Sequence, residues 1–229
     1  MRNLAIITAR GGSKRIPRKN IKDFLGKPII AYSIETAIKS GFFDDVMVST
    51  DDIEIAQIAQ KYGAKVPFFR NENTANDFAT TSDVIAEVIL EYKKRGKEFD
   101  NFCCIYPTAP LVRLENLQKA YDILLQNDFD CVMPVCAFSF PIQRAVEINN
   151  NKISMIAPEN LNKRSQDLQK AYHDAGQFYW LNVERFLKSK KIITDNCGAI
   201  ILDELQVQDI DNETDWKLAE LKYKLLKMQ

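Results

Sequence analysis

Short apolar runs alternate with amphipathic stretches along the first 135 residues of the chain. Apolar positions three and four residues apart predict helices that begin after Gly26-Lys27 and at Asp51, and further helices over 81–94 and 114–126. The partly β-branched runs between them predict strands at 4–8, 46–50, 65–69, 102–106 and 131–135. Because right-handed crossovers place helices on both faces of a parallel sheet, the pattern predicts an α/β fold with a doubly wound, mostly parallel sheet.

The alternation breaks between about residues 138 and 180. This stretch contains the turn-forming run 149–151 and a polar run over 160–174, which predict strands and loops that project from the sheet. After it, the pattern predicts strands at 199–202 and 207–210 and a charged helix over 213–227. We interpret the chain as one domain over 1–229 with an inserted segment at about 138–180.

The composition narrows the class of partner. Lys and Arg number 31, Asp and Glu also number 31, and the net charge of zero gives no overall attraction to nucleic acid or to an anionic membrane. The five cysteines have no zinc-site spacing and lie mostly in apolar runs, so we interpret them as buried and reduced. Since no signal-peptide pattern and no apolar run of about 20 residues is found, we expect a cytoplasmic protein that binds small molecules or protein, and neither nucleic acid nor membrane.

A glycine-containing basic loop follows the first predicted strand. Residues 9–20 read A-R-G-G-S-K-R-I-P-R-K-N, and Gly11, Gly12 and Ser13 are suited to bring amide and hydroxyl donors close to a phosphate. A solvated basic turn is the alternative. The position after a buried strand favours a polyanion site, because ligands bind at the carboxyl ends of strands in such folds. The loop matches neither the P-loop nor the dinucleotide-binding pattern. Its cations are Arg10, Lys14, Arg15, Arg18 and Lys19.

Two acidic pairs are candidates for a metal site. Asp209 and Asp211 flank Ile210 at the end of a predicted strand, where residues two apart point the same way and both carboxylates can face one ion. Magnesium prefers such oxygen ligands, together with phosphates and water. Helix capping is the alternative for paired acids before a helix. We interpret Asp51 and Asp52 as a helix start, because no basic loop directly adjoins them in the sequence.

The R-G-G-S-K-R-I-P-x-K-N pattern of the basic loop resembles the signature of the CMP-sugar synthetases, and the resemblance extends over nearly the whole chain. That family includes synthetases for sialic, legionaminic and pseudaminic acids and, more distantly, Kdo. The resemblance implies the nucleotide-diphosphosugar transferase type of fold, with transfer of CMP from CTP to the anomeric hydroxyl of an acidic nine-carbon sugar. It also implies a homodimer in which the inserted segment reaches toward the partner's site.

The same resemblance implies roles for individual residues. Arg10, Lys19 and Asp211 are the expected catalytic residues, and Asp209 and Asp211 are the expected magnesium ligands. Two alternatives remain: Thr81 and Ser82 could cap a helix, and Arg70 could pair with Glu72. The expected CTP-binding residues are Arg10, Gly11, Gly12, Ser13, Lys19, Asn20, Arg70, Thr80, Thr81 and Ser82.

Three segments resemble the pseudaminic acid branch of the family. They are Tyr106 in Y-P-T-A-P-L, where the family usually has Gln, the stretch 140–144, and 164–180 with His173-Asp174-Ala175 in place of R-P-N. Arg164 could hold a sugar carboxylate or pair with Asp167. Sialic or legionaminic acid is the alternative sugar, and a non-catalytic nucleotide-binding protein is the alternative class. The expected sugar-binding residues are Tyr106, Gln143, Arg144, Arg164, His173, Asp174, Gln177 and Tyr179.

Overall fold

The computed structural model describes residues 1–76 and 78–228, and within them a seven-stranded sheet is the centre of the fold. The strands are β1 (Asn3–Thr8), β2 (Asp23–Phe24), β3 (Lys27–Pro28), β4 (Asp45–Ser49), β5 (Asn101–Ile105), β6 (Cys131–Ala137), β7 (Val146–Asn149), β8 (Lys152–Met155), β9 (Tyr172–Asp174), β10 (Phe178–Asn182) and β11 (Cys197–Leu202). The α-helices are α1 (Ile29–Ser40), α2 (Ile53–Lys61), α3 (Glu72–Ala75), α4 (Thr81–Lys94), α5 (Leu114–Gln126), α6 (Val183–Ser189) and α7 (Glu213–Lys227).

The strand order in the main sheet is β11-β6-β10-β5-β1-β4, with β9 paired to β6. Strands β4, β1 and β5 are mutually parallel, and β11 is parallel to β6. Strand β10 runs antiparallel to both β5 and β6, so these two share one direction. The carboxyl ends of β1, β4, β5, β6 and β11 therefore meet at one edge of the sheet. The predicted α/β fold with a mostly parallel sheet is confirmed.

Helices cover both faces of the sheet, as the alternation of strands and helices predicts. Along β1, Ala5 and Ile7 face a core formed with α1, α2 and α5, while Leu4 and Ile6 face a second core formed with α4 and α6. All four of these β1 side chains are fully buried. In the described part of the chain, no helix combines the length and the apolar character needed to cross a membrane.

Two predicted strands do not form. Lys65 makes a single bridge to Met47. Pro67, two residues later, has no backbone N–H to continue the pairing, so 65–69 does not extend the sheet. Residues 207–210 are buried in part without being a strand, because lysine side chains satisfy their carbonyls. Lys222 donates to the Val207 carbonyl at 2.7 Å, and Lys19 donates to that of Ile210 at 2.6 Å.

The projecting segment ends earlier than predicted. Residues 178–180, assigned to the insertion on sequence grounds, belong to β10 in the middle of the main sheet, and β9 also pairs with it. What projects is mainly the β7–β8 hairpin with the turns around it. The apolar run of β10 is explained by this position, since Phe178, Trp180 and Leu181 are buried on both faces of the sheet.

A small apolar cluster holds two loops together at the carboxyl edge of the sheet. Ile16 of the basic loop and Ile210 are almost completely buried in it, packed with Trp216 of α7. Their burial leaves the polar neighbours of each isoleucine on the outside of the cluster. The basic loop and the acidic segment around Ile210 thereby lie side by side. The complete cluster comprises Ile16, Phe24, Ile29, Tyr32, Ile210, Trp216 and Ala219.

Candidate active site

A cavity of about 330 Å³ opens at the carboxyl edge of the sheet. Its walls come from the basic loop after β1, from the segment after β5, and from the segment that leads into α4. This is where open α/β sheets bind their ligands. The lining residues are Thr8, Arg10, Ser13, Lys14, Arg15, Ile16, Lys19, Asn20, Arg70, Thr74, Asn76, Ala79, Thr81, Val84, Tyr106, Pro107 and Thr108.

The cations of the basic loop divide into two groups. Arg10, Lys14, Arg15 and Lys19 line the cavity, whereas Arg18 is turned away toward the start of α2. There the Arg18 guanidinium bonds both carboxylate oxygens of Asp52, at 2.5 and 3.0 Å. Asn20 is buried and donates to the Arg10 carbonyl, which holds the two ends of the loop together. The cavity therefore has a strongly basic wall that suits a polyphosphate.

Asp51 and Asp52 do lie at the start of a helix, as expected. The reason given for that interpretation is wrong, because the fold places the basic loop directly against both residues. Asp52, not Asp51, caps α2 by accepting from the Ile55 amide, and both acids contact the basic loop. The Gly11 amide donates to Asp51, so that donor is used inside the protein and is not aimed at a ligand. The sequence hides these contacts because they join residues about 40 positions apart.

Lys19 links the basic loop to the acidic segment. Its ammonium donates to the Ile210 carbonyl at 2.6 Å. Burial lowers the pKa of Lys19, while the charges of Asp211 and Asp209 oppose that shift. Arg15 forms an ion pair with Asp211 at 2.7 Å. A cation of reduced pKa thus lies between the basic cavity wall and two carboxylates.

Asp209 and Asp211 fit a magnesium ion bound partly by substrate. Burial raises the pKa of Asp209, and the charge of Asp211 raises it further, while Lys19 and Arg15 oppose the shift, so an added cation beside Asp209 would stabilise its charged form. Capping of α7 does not involve the pair, because Asn212 and Asp215 form that capping box. Within residues 1–76 and 78–228, no cluster of three or more His, Cys, Asp or Glu forms a complete metal cage. Two carboxylates suffice for magnesium when phosphates and water supply the other ligands.

The opposite wall of the cavity carries Arg70 and the start of α4. The Arg70 guanidinium donates to the hydroxyl and carbonyl of Ser49. Burial lowers its pKa, opposed by Asp51 and Glu87, so Glu72 is not its main counter-charge. Thr81 lines the cavity, but Thr80 is the N-cap of α4 in a capping box with Asp83. Sequence reasoning missed Thr74 and Asn76, whose only signal was the polar composition of 71–76.

Tyr106 connects this wall to a second polar group. Burial raises the pKa of Tyr106, while hydrogen bonds with Tyr179 and Thr81 lower it. The Tyr179 hydroxyl donates to Asp174, and burial, the Tyr106 neighbour and this hydrogen bond all raise the pKa of Tyr179. Three predicted sugar-binding residues, Tyr106, Asp174 and Tyr179, therefore form one network next to the cavity.

The remaining predicted sugar-binding residues lie elsewhere in this chain. Gln177 is 2% exposed, and its amide nitrogen donates to the Gln206 carbonyl. His173 packs its ring against Phe138. On the projecting segment, Gln143 donates to the Gln169 carbonyl, Arg144 to the Lys163 carbonyl, and Arg164 to both carboxylate oxygens of Asp167. The alternative of an Arg164–Asp167 pair is thus realised.

A basic loop at the carboxyl edge of an α/β sheet, with a carboxylate pair beside it, is the arrangement that a nucleotidyltransferase needs to hold a triphosphate with magnesium. The sequence matches the cytidylyltransferase family over residues 4–212. The chain belongs to this family.

Curated relatives agree with this assignment, and a solved structure shares the fold. The chain is 45% identical over 226 residues to a pseudaminic acid cytidylyltransferase of Campylobacter jejuni, covering 98% of this chain and 97% of that protein. It is 34% identical to a CMP-N,N'-diacetyllegionaminic acid synthase of the same species, covering 95% and 93%. The fold is similar to that of CMP:2-keto-3-deoxy-manno-octonic acid synthetase complexed with CTP, with a TM-score of 0.70, 18% identity and full coverage of both chains.

Proposed function

We propose that this protein transfers CMP from CTP to the anomeric hydroxyl of pseudaminic acid and releases pyrophosphate. The observation that carries the proposal is the juxtaposition of the basic cavity wall with Lys19 and the carboxylates of Asp209 and Asp211. The choice of sugar is supported by the 45% identical relative, whose name states that activity. The reaction would take place in the cytoplasm, where CTP is available.

The basic loop would bind the triphosphate of CTP. Arg10, Ser13 and Lys19 line the same wall and supply charged and hydroxyl donors, while buried Asn20 fixes the backbone at Arg10. In nucleotidyl transfer, negative charge builds on the α-phosphoryl oxygens and on the departing pyrophosphate. Lys19 is placed to offset that charge, and Arg10 assists it. The sugar hydroxyl attacks the α-phosphorus directly, so no covalent bond to the protein is needed.

Magnesium is the metal that the acidic segment would hold. Asp209 and Asp211 would be its protein ligands. When bound, the ion would supply Lewis-acid stabilisation of the phosphates and polarise the attacking hydroxyl. Arg15 forms an ion pair with Asp211, and its side chain is 68% exposed. When magnesium binds Asp211, Arg15 would exchange this carboxylate for a phosphate oxygen.

The cytosine ring would lie on the wall formed by Arg70, Thr81 and the missed residues Thr74 and Asn76. Amide and hydroxyl groups there can pair with the edge of the base. Thr80 would contribute by ordering the start of α4 instead of touching the nucleotide. Ser82 lies in the same first turn but is not among the residues that line the cavity.

The sugar would contact the network of Tyr106, Tyr179 and Asp174. Tyr106 lines the cavity, and Tyr179 and Asp174 lie next to it through the ring contact and the hydrogen bond of the network. The anomeric carbon would lie on the cavity side of this network, nearest the nucleotide. Aromatic surface suits the methyl end of pseudaminic acid, and few hydroxyl partners are needed there. Gln177 would act from the interior, by holding the Gln206 carbonyl that precedes the acidic segment.

A homodimer would bring the projecting segment to a second site. Gln143, Arg144 and Arg164 lie on this segment, away from the cavity of their own chain. The β7–β8 hairpin is unusually apolar on its surface, with Ile148 68% and Ile153 70% exposed. Exposed apolar patches of this kind mark protein interfaces. We propose that two copies pack through this hairpin and that the arginines meet the acidic sugar in the partner's site.

Product analysis tests the proposed reaction. The protein should convert CTP and pseudaminic acid to a CMP-sugar, identified by mass spectrometry, with one pyrophosphate released per product. Omission of either substrate, or excess chelator, should abolish the product, because the phosphate site is incomplete without metal. Binding of CTP without any product from pseudaminic, legionaminic or sialic acid would favour the non-catalytic alternative.

A further inference from the structure

The acidic pair Asp51 and Asp52 lies against the basic loop. Neither residue is among those that line the cavity, yet both contact the loop. Asp52 also caps α2, and its own amide donates to the Thr50 hydroxyl, so the pair stands on a fixed strand-to-helix turn. The loop is thus supported by a strand-to-helix turn whose two acids are not among the cavity-lining residues.

Arg18 connects the far end of the loop to this support. Its backbone is left-handed, with φ of 55°, and it begins the short 3₁₀ turn Lys19–Ile21 that carries Lys19 and Asn20. The guanidinium holds the carboxylate of Asp52 with two hydrogen bonds. The Arg18 contact lowers the pKa of Asp52 to about 2, so this carboxylate stays charged at neutral pH.

Gly11 connects the near end of the loop to the same support. Its amide donates to Asp51 at 2.9 Å. A Cβ atom on residue 11 would lie 2.8 Å from an Asp52 carboxylate oxygen, which is closer than atoms pack. The absence of a side chain at Gly11 is therefore what allows the acidic pair to sit against the loop.

We propose that Asp51 and Asp52 are positioning residues that hold the basic loop in the shape that binds a nucleoside triphosphate. The inference rests on the proposed use of this loop for CTP. Five cations within ten residues repel one another, and an unsupported loop would spend part of its time in other conformations. The apparent dissociation constant for the triphosphate then rises in inverse proportion to the fraction of protein that is binding-competent.

The decisive variant is Asp52→Asn, because asparagine caps helices as well as aspartate but carries no charge for Arg18. The full-length protein is titrated with CTP and magnesium in a calorimeter, without sugar. If the loop is ordered only about a tenth of the time in the variant, its dissociation constant for CTP should rise about tenfold. The melting temperature should stay close to that of the wild type, and kcat at saturating CTP should change less than the CTP KM.

Three companion variants separate positioning from general stability. Asp51→Ala removes the acceptor of the Gly11 amide and should also weaken CTP binding. Glu54→Gln removes the exposed second partner of Arg18 and should change binding by less than about twofold, as surface pairs contribute little. Arg18→Ala combined with Asp52→Asn should be no worse than either change alone.

The outcomes are distinguishable. Wild-type affinity for CTP in Asp52→Asn, or strictly additive effects of Arg18→Ala and Asp52→Asn, would overturn the positioning role while leaving the proposed function intact. Failure of the wild-type protein itself to bind CTP would contradict the proposed function, and the positioning role with it.

Discussion

The ammonium of Lys19 lies between the basic cavity wall and the acidic segment, and its charge and its pKa can both be tested. We expect Lys19→Ala to lower kcat at least about a hundredfold, the usual loss when a preorganised charge is removed. Burial lowers the pKa of Lys19 below its ordinary 10.5, so the proton is lost as pH rises toward that reduced value. The profile of kcat/KM should fall on the alkaline side below pH 10.5, since this parameter reports the free enzyme.

Lys19→Arg supplies the control for that prediction, because a guanidinium keeps its charge throughout this range. The variant should retain part of the activity and lose the alkaline fall. An unchanged alkaline fall in Lys19→Arg would assign it to another group.

Asp211 and a matched distant acid test the metal proposal. Asp211→Asn should reduce turnover at least about a hundredfold, and it should weaken the binding of Mn²⁺ to the protein with CTP, measured by electron paramagnetic resonance. Asp195→Asn, an exposed change just before β11 at the opposite edge of the sheet, should alter neither quantity. Equal Mn²⁺ binding by wild type and Asp211→Asn would place the metal elsewhere.

At the residue scale, the sequence reveals charges but not their partners. The cations of the basic loop and the Asp-Ile-Asp segment were visible because they are dense and local. The sequence does not show that Arg18 turns away from the other cations, because the Arg18–Asp52 pair depends on the register of β1 against β4. The burial of Ile210 explains why Asp209 and Asp211 share a side without the predicted strand.

At the element scale, the first turn of α4 separates two threonines that the sequence treats alike. Thr80→Ala removes an N-cap and should lower the free energy of unfolding by about 1 kcal/mol, with little change in CTP affinity. Thr81→Ala should do the reverse, because Thr81 lines the cavity and contacts Tyr106. Denaturant titration and CTP calorimetry on both variants decide this. Equal losses of CTP affinity in the two variants would indicate that Thr80 also contacts the nucleotide.

The β7–β8 hairpin provides the test of assembly. Ile148 and Ile153 are directly paired across the two strands and exposed, so replacing both by Asp places charge in the proposed interface without disturbing a core. Light scattering after size-exclusion chromatography should show a dimer for the wild type and a monomer for the double variant. A monomeric wild type, or an unaffected dimer, would contradict the proposed assembly.

The bounds of the long helices with strong apolar periodicity follow from the sequence. Helices α4, α5 and α7 have the predicted bounds, since apolar spacing and length agree there, and α4 and α7 also begin with capping boxes. The predicted strand at 65–69 failed because an apolar run also occurs in coil that packs beside an edge strand. Strand β10 was assigned to the projecting segment because nothing local distinguishes an apolar antiparallel strand inserted between β5 and β6.

At the scale of the whole molecule, the strand order creates the site. Segments after β1, β5 and β11 are far apart in sequence, and the shared direction of these strands brings them to one edge. The fold class and the edge that carries the cavity follow from the sequence pattern. The position of the network of Tyr106, Tyr179 and Asp174 does not, because it depends on the antiparallel β10 that carries Tyr179.

The most direct measurement of the central claim is the specificity of the purified wild-type protein for its acceptor. Initial rates of pyrophosphate release with saturating CTP give kcat/KM for pseudaminic, legionaminic and N-acetylneuraminic acids. A site with aromatic surface and few hydroxyl partners penalises the glycerol chain of N-acetylneuraminic acid, whose buried hydroxyls would lack partners. We predict the highest kcat/KM for pseudaminic acid. A higher value for either of the other two sugars would contradict the account.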